Sequence, residues 1–340
     1  MNYPFWPSRV YFEKEALSNP RGEKLYNYFS DHGVPVKFTT SHNRVTGIPG
    51  KEGTEKFLEA KNTLVVGIRR TLEFQGCRPS ADYQLPLLTG CPGRCHYCYL
   101  HTSLGKTPYL RVYVNLEEIF EAAQKYIEKG APGGTVFEGA AVSDPMFAEP
   151  FTGAVSEAVK FFSSCSRAGF RLVTKFSAVE SLLDLDHKGK TTIRFSVNHP
   201  DIIKRYEEGT SSLEKRVEAA RQVYQAKYPT GLMIAPIFLE ENWKENYRQL
   251  FEYLSGEIPE SALLTFELIT HRFTLRARDN IRRYFPQTGL KMETEDRRFK
   301  YGQFGYGKYL YPADTWKEAR NYFYRMVETY FPQAKVEYFV

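Results

Sequence analysis

A chain of 340 residues with 42% hydrophobic and 25% charged side chains has the make-up of a folded globular protein with a sizeable core. Its net charge of +6 and pI near 8.8 are mildly basic, a weak pointer to a polyanionic partner. No apolar run nears the roughly 18–20 residues that span a bilayer, and the opening MNYPFWPSRVYFEKEAL lacks a signal peptide's apolar segment, so a cytoplasmic location and no membrane partner are expected.

Residues 1–81 read as an N-terminal extension packed on a downstream barrel, with a strand-like run NTLVVGI (62–68) and a loop, TTSHNRVTGIPGKEG. From residue 82 strand-like and amphipathic helical stretches alternate, the pattern of a parallel sheet with covering helices. The strands are expected at 82–90, 134–141, 170–178, 191–198, 230–239 and 263–271. Helices fall between them at 115–130, 153–166, 211–228 and 243–254. Right-handed crossovers curl such units into an α/β partial (β/α)6 barrel over 82–271, whose chemistry belongs at the carboxyl ends of the strands. Residues 272–340 form a C-terminal basic and aromatic region.

The stretch LTGCPGRCHYCYLH (88–101) places Cys91, Cys95 and Cys98 directly after the first of these strands. Disulfides are not expected in a reducing compartment, and Cys77 and Cys165 stand alone. Structural zinc favours paired C-x-x-C units, and no second pair exists, although His96 and His101 complete a zinc set on paper. Three thiolates on one short loop can instead hold three irons of a [4Fe–4S] cluster and leave the fourth open for a ligand.

Between residues 272 and 308 there are ten Lys or Arg against four acids, with Phe273, Tyr284, Phe285, Phe299, Tyr301, Phe304 and Tyr306 interleaved and Tyr309 directly after. Positive charge mixed with aromatics suits phosphate contact and base stacking. YGQFGYGKY (301–309) reads as a hairpin.

C-x-x-x-C-x-x-C after the first strand of a β/α barrel resembles the radical S-adenosylmethionine (SAM) superfamily. TTSHNRVTGIPG, PLLTGCPGRCHYCYLHTSLGKTPYLRVYVN, TFELITHRFT, YGQFGYGKY and YFPQAKVEYFV narrow the resemblance, nearly end to end, to the spore photoproduct lyase family. That resemblance implies a DNA repair lyase, which uses a 5′-deoxyadenosyl radical to return the methylene-bridged thymine dimer (5-thyminyl-5,6-dihydrothymine) of germinating spores to two thymines. It implies a [4Fe–4S] cluster on Cys91, Cys95 and Cys98, and SAM contacts from Ser143, Lys175, Ser196 and Ala235. It also implies hydrogen return through Tyr97 and Tyr99, and a flavodoxin- or ferredoxin-like reductant as partner. DNA carrying the lesion is the implied substrate, held by Arg272, Lys300, Gln303, Phe304 and Tyr306, with the hairpin entering the opened duplex.

The chain departs from the family at two places. Ala141 stands where the family has the cysteine that gives a hydrogen atom to the product radical, and a methyl C–H bond is too strong to replace a thiol S–H. Gln303 and Phe304 stand where the family typically has Arg and Tyr. An engineered exchange, a natural member in which Tyr97, Tyr99 or Cys77 supplies the hydrogen, and a different radical substrate all fit the departure at Ala141. Two further readings stay open from sequence: a paralogue acting on another nucleic-acid lesion or nucleotide, and a lesion-binding Fe–S protein without turnover.

Overall fold

The structure, a computed structural model, describes residues 4–259, 262–301 and 307–340. Its larger sheet has eight strands in the spatial order Lys335–Phe339, Leu264–Thr270, Thr230–Ile237, Thr191–Val197, Ala168–Thr174, Thr135–Glu138, Ala81–Gln84 and Gly76–Cys77. All run parallel except the short Gly76–Cys77 strand, which turns back antiparallel at one edge. Helices cover the outer face. Leu116–Lys129 buries Leu116, Ile119, Ala123 and Ile127, three or four residues apart, which is one stripe of a helix. Its Phe120 stacks on Phe161 of the next helix, Ala154–Ser163, with ring centroids 4.9 Å apart. Outward-facing Ile193, Phe195 and Val197 are fully buried beneath the helices.

The expected strand over 82–90 is two strands. Ala81–Gln84 belongs to the larger sheet, and Leu88–Thr89 pairs with Leu110–Tyr113 in a second one. Pro86 between them has no N–H to give to a ladder, so the pairing stops there. The second sheet runs in the order Val36–Thr39, Arg9–Glu13, Thr63–Gly67, Leu110–Tyr113, Leu88–Thr89. Its middle strand is the NTLVVGI run, buried along its length. After Leu264–Thr270, helix Ala313–Tyr330 leads to one more parallel strand, Lys335–Phe339, which the sequence pattern did not reveal.

Side chains alternate along a strand, so Arg194 and Ser196 of Thr191–Val197 share the inner face. One layer down, Arg194 forms a buried ionic floor. It pairs with Glu138, lies 2.7 Å from Glu267 and donates from Nε to the Leu172 carbonyl at 3.2 Å. Arg171 pairs with Glu267 and, at 2.9 Å, with Glu337, while the Tyr338 hydroxyl donates to Glu267 at 2.8 Å. Arg171 thereby reaches a strand three places away in the sheet, possible only because the sheet curls into a half-barrel. Gly231 makes the room: a Cβ there would stand 2.9 Å from Arg194 Cγ and 2.5 Å from Thr265 Oγ1.

The floor is stable only as a matched set, since burial would lower the Arg194 pKa and the charges of Glu138 and Glu267 raise it instead. Arg194→Met leaves Glu138 buried without a cation and Glu267 with Arg171 alone, and is expected to cost about 3–5 kcal/mol. Chemical denaturation followed by circular dichroism measures the loss.

Candidate active site

The cysteine loop begins at Gly90, whose φ of 87° is a backbone conformation that glycine adopts without strain. The Gly90 amide donates to the Val142 carbonyl at 2.9 Å, and Gly90 bridges Ser143, which pins the loop to the end of the next barrel strand. Arg94 and Cys95 then pair antiparallel with Glu207 and Glu208. A Cβ at Gly93 would lie 3.3 Å from Cys91 Sγ and 3.8 Å from Cys95 Sγ, so the bare backbone leaves the space between those sulfurs clear. The Gly93 amide donates to Cys91 Sγ at 3.3 Å.

Three free cysteines on one short loop, with the Gly93 backbone beside the sulfurs of Cys91 and Cys95, fit a cluster bound by three thiolates. The donor set does not suit zinc. His96 Nδ1 bonds Thr288 at 2.8 Å and its ring stacks on Phe285, while His101 Nε2 donates to the Cys95 carbonyl at 2.7 Å. One nitrogen of each ring is thus engaged with a group other than the sulfurs. Among the described residues no three His, Cys, Asp or Glu side chains gather around one metal-sized point, as tetrahedral zinc demands.

Lys175 follows its strand end and brings together the next two. Its Nζ donates to Ser196 Oγ at 2.6 Å and to the Ala235 carbonyl at 3.5 Å. It also pairs at 3.1 Å with buried Glu207, which forms an ion pair with Arg216 at 2.6 Å and accepts the Tyr97 hydroxyl. Burial alone would raise the Glu207 carboxyl, but Lys175 and Arg216 pull it down to about 2. Asp144 fixes the Lys175 backbone by accepting its amide at 2.8 Å, and also accepts Thr174 Oγ1 at 2.8 Å. Burial pushes the Asp144 carboxyl up to about 6, against the pull of those hydrogen bonds. Ser143 stands apart from the Lys175 group, its Oγ donating to the Gly139 carbonyl at 3.4 Å.

Tyr99 is 60% exposed at the rim and donates its hydroxyl to the Ala141 carbonyl. Cys77 lies on the antiparallel edge strand, opposite Ala81. Burial and then the charge of Glu138 push the Cys77 thiol up to about 12, so it stays an S–H at neutral pH. The Tyr99 hydroxyl thus ties the cysteine loop to Ala141.

At the C-terminal side, strands Arg298–Tyr301 and Gly307–Leu310 pair antiparallel, as the hairpin reading requires. Gln303, Phe304 and Tyr306 lie outside the described residues. Lys300 sits directly opposite Lys308, and half-buried Arg272 lies near enough to depress Lys308, whose pKa burial lowers first. Helix Leu275–Tyr284 adds Arg276, Arg278, Arg282 and Arg283.

A half-barrel whose cysteine loop adjoins a ring of polar strand ends defines a radical SAM type of fold and site. The spore photoproduct lyase family profile matches residues 5–340. The spore photoproduct lyase of Clostridium acetobutylicum is 46% identical over 98% of both chains, and that of Bacillus subtilis strain 168 is 45% identical over the whole of both. The chain belongs to the spore photoproduct lyase family. Among solved structures, one with bound AdoMet and dinucleoside spore photoproduct is a double variant, cysteine to alanine and serine to cysteine. It superposes with a TM-score of 0.97 at 47% identity, covering 99% of this chain and 100% of that one. A complex with the dinucleoside spore photoproduct gives 0.96 at 46% identity, with the same coverage. No helix among the described residues is long and apolar enough to cross a membrane.

Sequence reasoning missed Glu207, Arg216 and Asp144. Arg216 did leave a signal, because it falls on the apolar stripe of its helix with Leu213, Val217 and Ala220. Glu207 left none, since its role comes from pairing with the cysteine loop.

With a folded value near 2 against an ordinary 4.5, Glu207 stabilises the fold above pH 4.5, and that stability is lost as pH falls toward 2. Glu207→Gln, which leaves Lys175 and Arg216 buried without a counter-charge, is expected to lower the thermal midpoint at pH 7. It is also expected to flatten the decline below pH 4.5. Thermal unfolding across that pH range, wild type against variant, measures both.

Proposed function

We propose that this chain is a radical SAM carbon–carbon lyase that converts the spore photoproduct in DNA to two thymines. The observation that carries the reading is the meeting of the three-cysteine loop with Lys175, Ser196 and Ala235 on one rim, in a fold that superposes on a relative solved with AdoMet and the lesion. Cys91, Cys95 and Cys98 would hold a [4Fe–4S] cluster which, reduced by a flavodoxin- or ferredoxin-like donor, would supply the electron for cleaving SAM to methionine and the 5′-deoxyadenosyl radical. Lys175 suits the SAM carboxylate, and Ser143 and Ser196 offer hydroxyls to its oxygens. The buried Glu207 fixes Lys175 and the Tyr97 phenol in position.

The product radical needs a hydrogen atom, and Cys77 is the group suited to give it. Its S–H breaks, a C–H forms on the thymine methylene, and the unpaired electron passes to sulfur; no external electron is needed. Tyr99, whose hydroxyl bonds the Ala141 carbonyl, then restores the S–H: its phenol O–H breaks and the unpaired electron passes to oxygen. The solved double variant supports this assignment: it exchanges a serine for cysteine 64 positions before the cysteine it loses, the separation of Cys77 from Ala141 here. The location implied by DNA as substrate is the cytoplasm.

Like charges directly opposed destabilise a hairpin, so Lys300 and Lys308, with Arg272 beside them, suit a backbone phosphate. Lys300→Ala and Lys308→Ala are each expected to lower affinity for lesion-bearing and undamaged duplex alike. Each is also expected to shallow the log affinity against log salt plot by about 1. Fluorescence anisotropy at several salt concentrations measures this.

The decisive experiment combines anaerobically reconstituted protein, dithionite, SAM and a dinucleotide spore photoproduct, with products read by mass spectrometry. Wild type is expected to release thymine dinucleotide, and Cys95→Ala to cleave no SAM. Cys77→Ala is expected to open the lesion but divert product to adducts, and adding Ala141→Cys to restore clean dinucleotide. SAM cleavage with the lesion untouched would move the substrate to another nucleic-acid lesion. Clean product from Cys77→Ala alone would pass the hydrogen donation to a tyrosine.

A further inference from the structure

Helix Thr54–Lys61 ends on a lysine that faces inward. Lys61 is 1% exposed and shares the buried side of its helix with Phe57 and Ala60. Its Nζ donates to the carbonyls of Cys91 at 2.7 Å and Gly93 at 3.1 Å, and stands 5.4 Å from the Phe57 ring centroid. Among the described residues no carboxylate forms an ion pair with it. The other buried cations differ: Arg194 meets Glu138 and Glu267, while Lys175 and Arg216 meet Glu207. Removing an ammonium from water is costly, and two carbonyls with partial charges offset only part of the cost.

What the site does offer is an anion yet to be bound. Both carbonyls belong to the loop that carries Cys91 and Cys95, and a thiolate-held iron–sulfur cluster is negatively charged, more so after it accepts an electron. We propose that Lys61 is the fixed counter-cation of the cluster, a positioning residue that ties the loop with two donors and stabilises the electron-loaded state. This rests on the cluster reading of the three cysteines. A nearby positive charge favours the more negative of two redox states, so Lys61 raises the reduction potential of the cluster and eases its one-electron reduction. The front section of the chain therefore contributes to the chemistry as well as to packing.

The test compares wild type, Lys61→Met, which keeps length without charge, and Lys61→Arg, which keeps charge. Iron content after anaerobic reconstitution, iron loss to a chelator and the midpoint potential by EPR-monitored titration are read for each. Lys61→Met is expected to lose iron about 10–100-fold faster and to show a more negative midpoint, with Lys61→Arg near wild type. A variant that takes up no iron, yet matches wild-type apoprotein in circular dichroism and thermal unfolding, supports the same conclusion. Unchanged potential and iron loss in Lys61→Met overturn it. So does an apoprotein as destabilised as the loaded form, since Lys61 would then be only a tie for the loop. Wild-type protein that binds no iron would instead refute the cluster reading itself.

Discussion

The Glu207 carboxylate is the interaction on which the rim of this molecule depends. Its backbone pairs with Cys95, its side chain meets Lys175 and Arg216, and it accepts the phenol of Tyr97. The cysteine loop, the neighbouring strand end and a covering helix are thus fixed relative to one another by a single buried charge. None of these charges is stable in the interior alone; each is tolerated because the others are present. That mutual dependence makes the arrangement rigid, which suits a site that must hold a radical away from solvent and from its own side chains.

Much of this was legible in the sequence. Strand and helix periodicities located the half-barrel, and the cysteine spacing located its centre, because both follow from local order along the chain. Lys175, Ser196 and Ala235 come together at one lysine, since parallel strands place their carboxyl ends side by side. Other features depend on long-range pairing. The strand Lys335–Phe339 finds its place beside Leu264–Thr270 across some 65 intervening residues, and Lys61 gains its importance only where its helix meets the loop of Cys91. Pro86 was readable as a break in the first expected strand, and the break is what lets the chain cross from one sheet to the other. The two histidines near the cysteines looked like ligands in one dimension. In three they serve Thr288 and the Cys95 carbonyl.

Ala141 and Cys77 illustrate why a position matters more than a residue's place in a motif. A hydrogen donor for a carbon radical has to be near and has to keep its proton, and nothing requires that it come from one particular strand. Cys77 sits on the edge strand, in surroundings that disfavour the thiolate. Burial and the neighbouring charge of Glu138, which make this cysteine a sluggish nucleophile, also keep its S–H intact, as the proposed hydrogen donation requires.

The ionic floor beneath the rim has a consequence for folding fidelity. Because side chains alternate faces, sliding any one of its strands by a single residue would turn Arg194 or Glu267 out among the aliphatic side chains under the helices. An all-apolar interior would tolerate such a slip at modest cost, since one aliphatic side chain replaces another. A matched set of charges does not, so the floor acts as a register lock. It discriminates against near-native sheets whose strand ends would be staggered by a residue and whose rim residues could no longer meet.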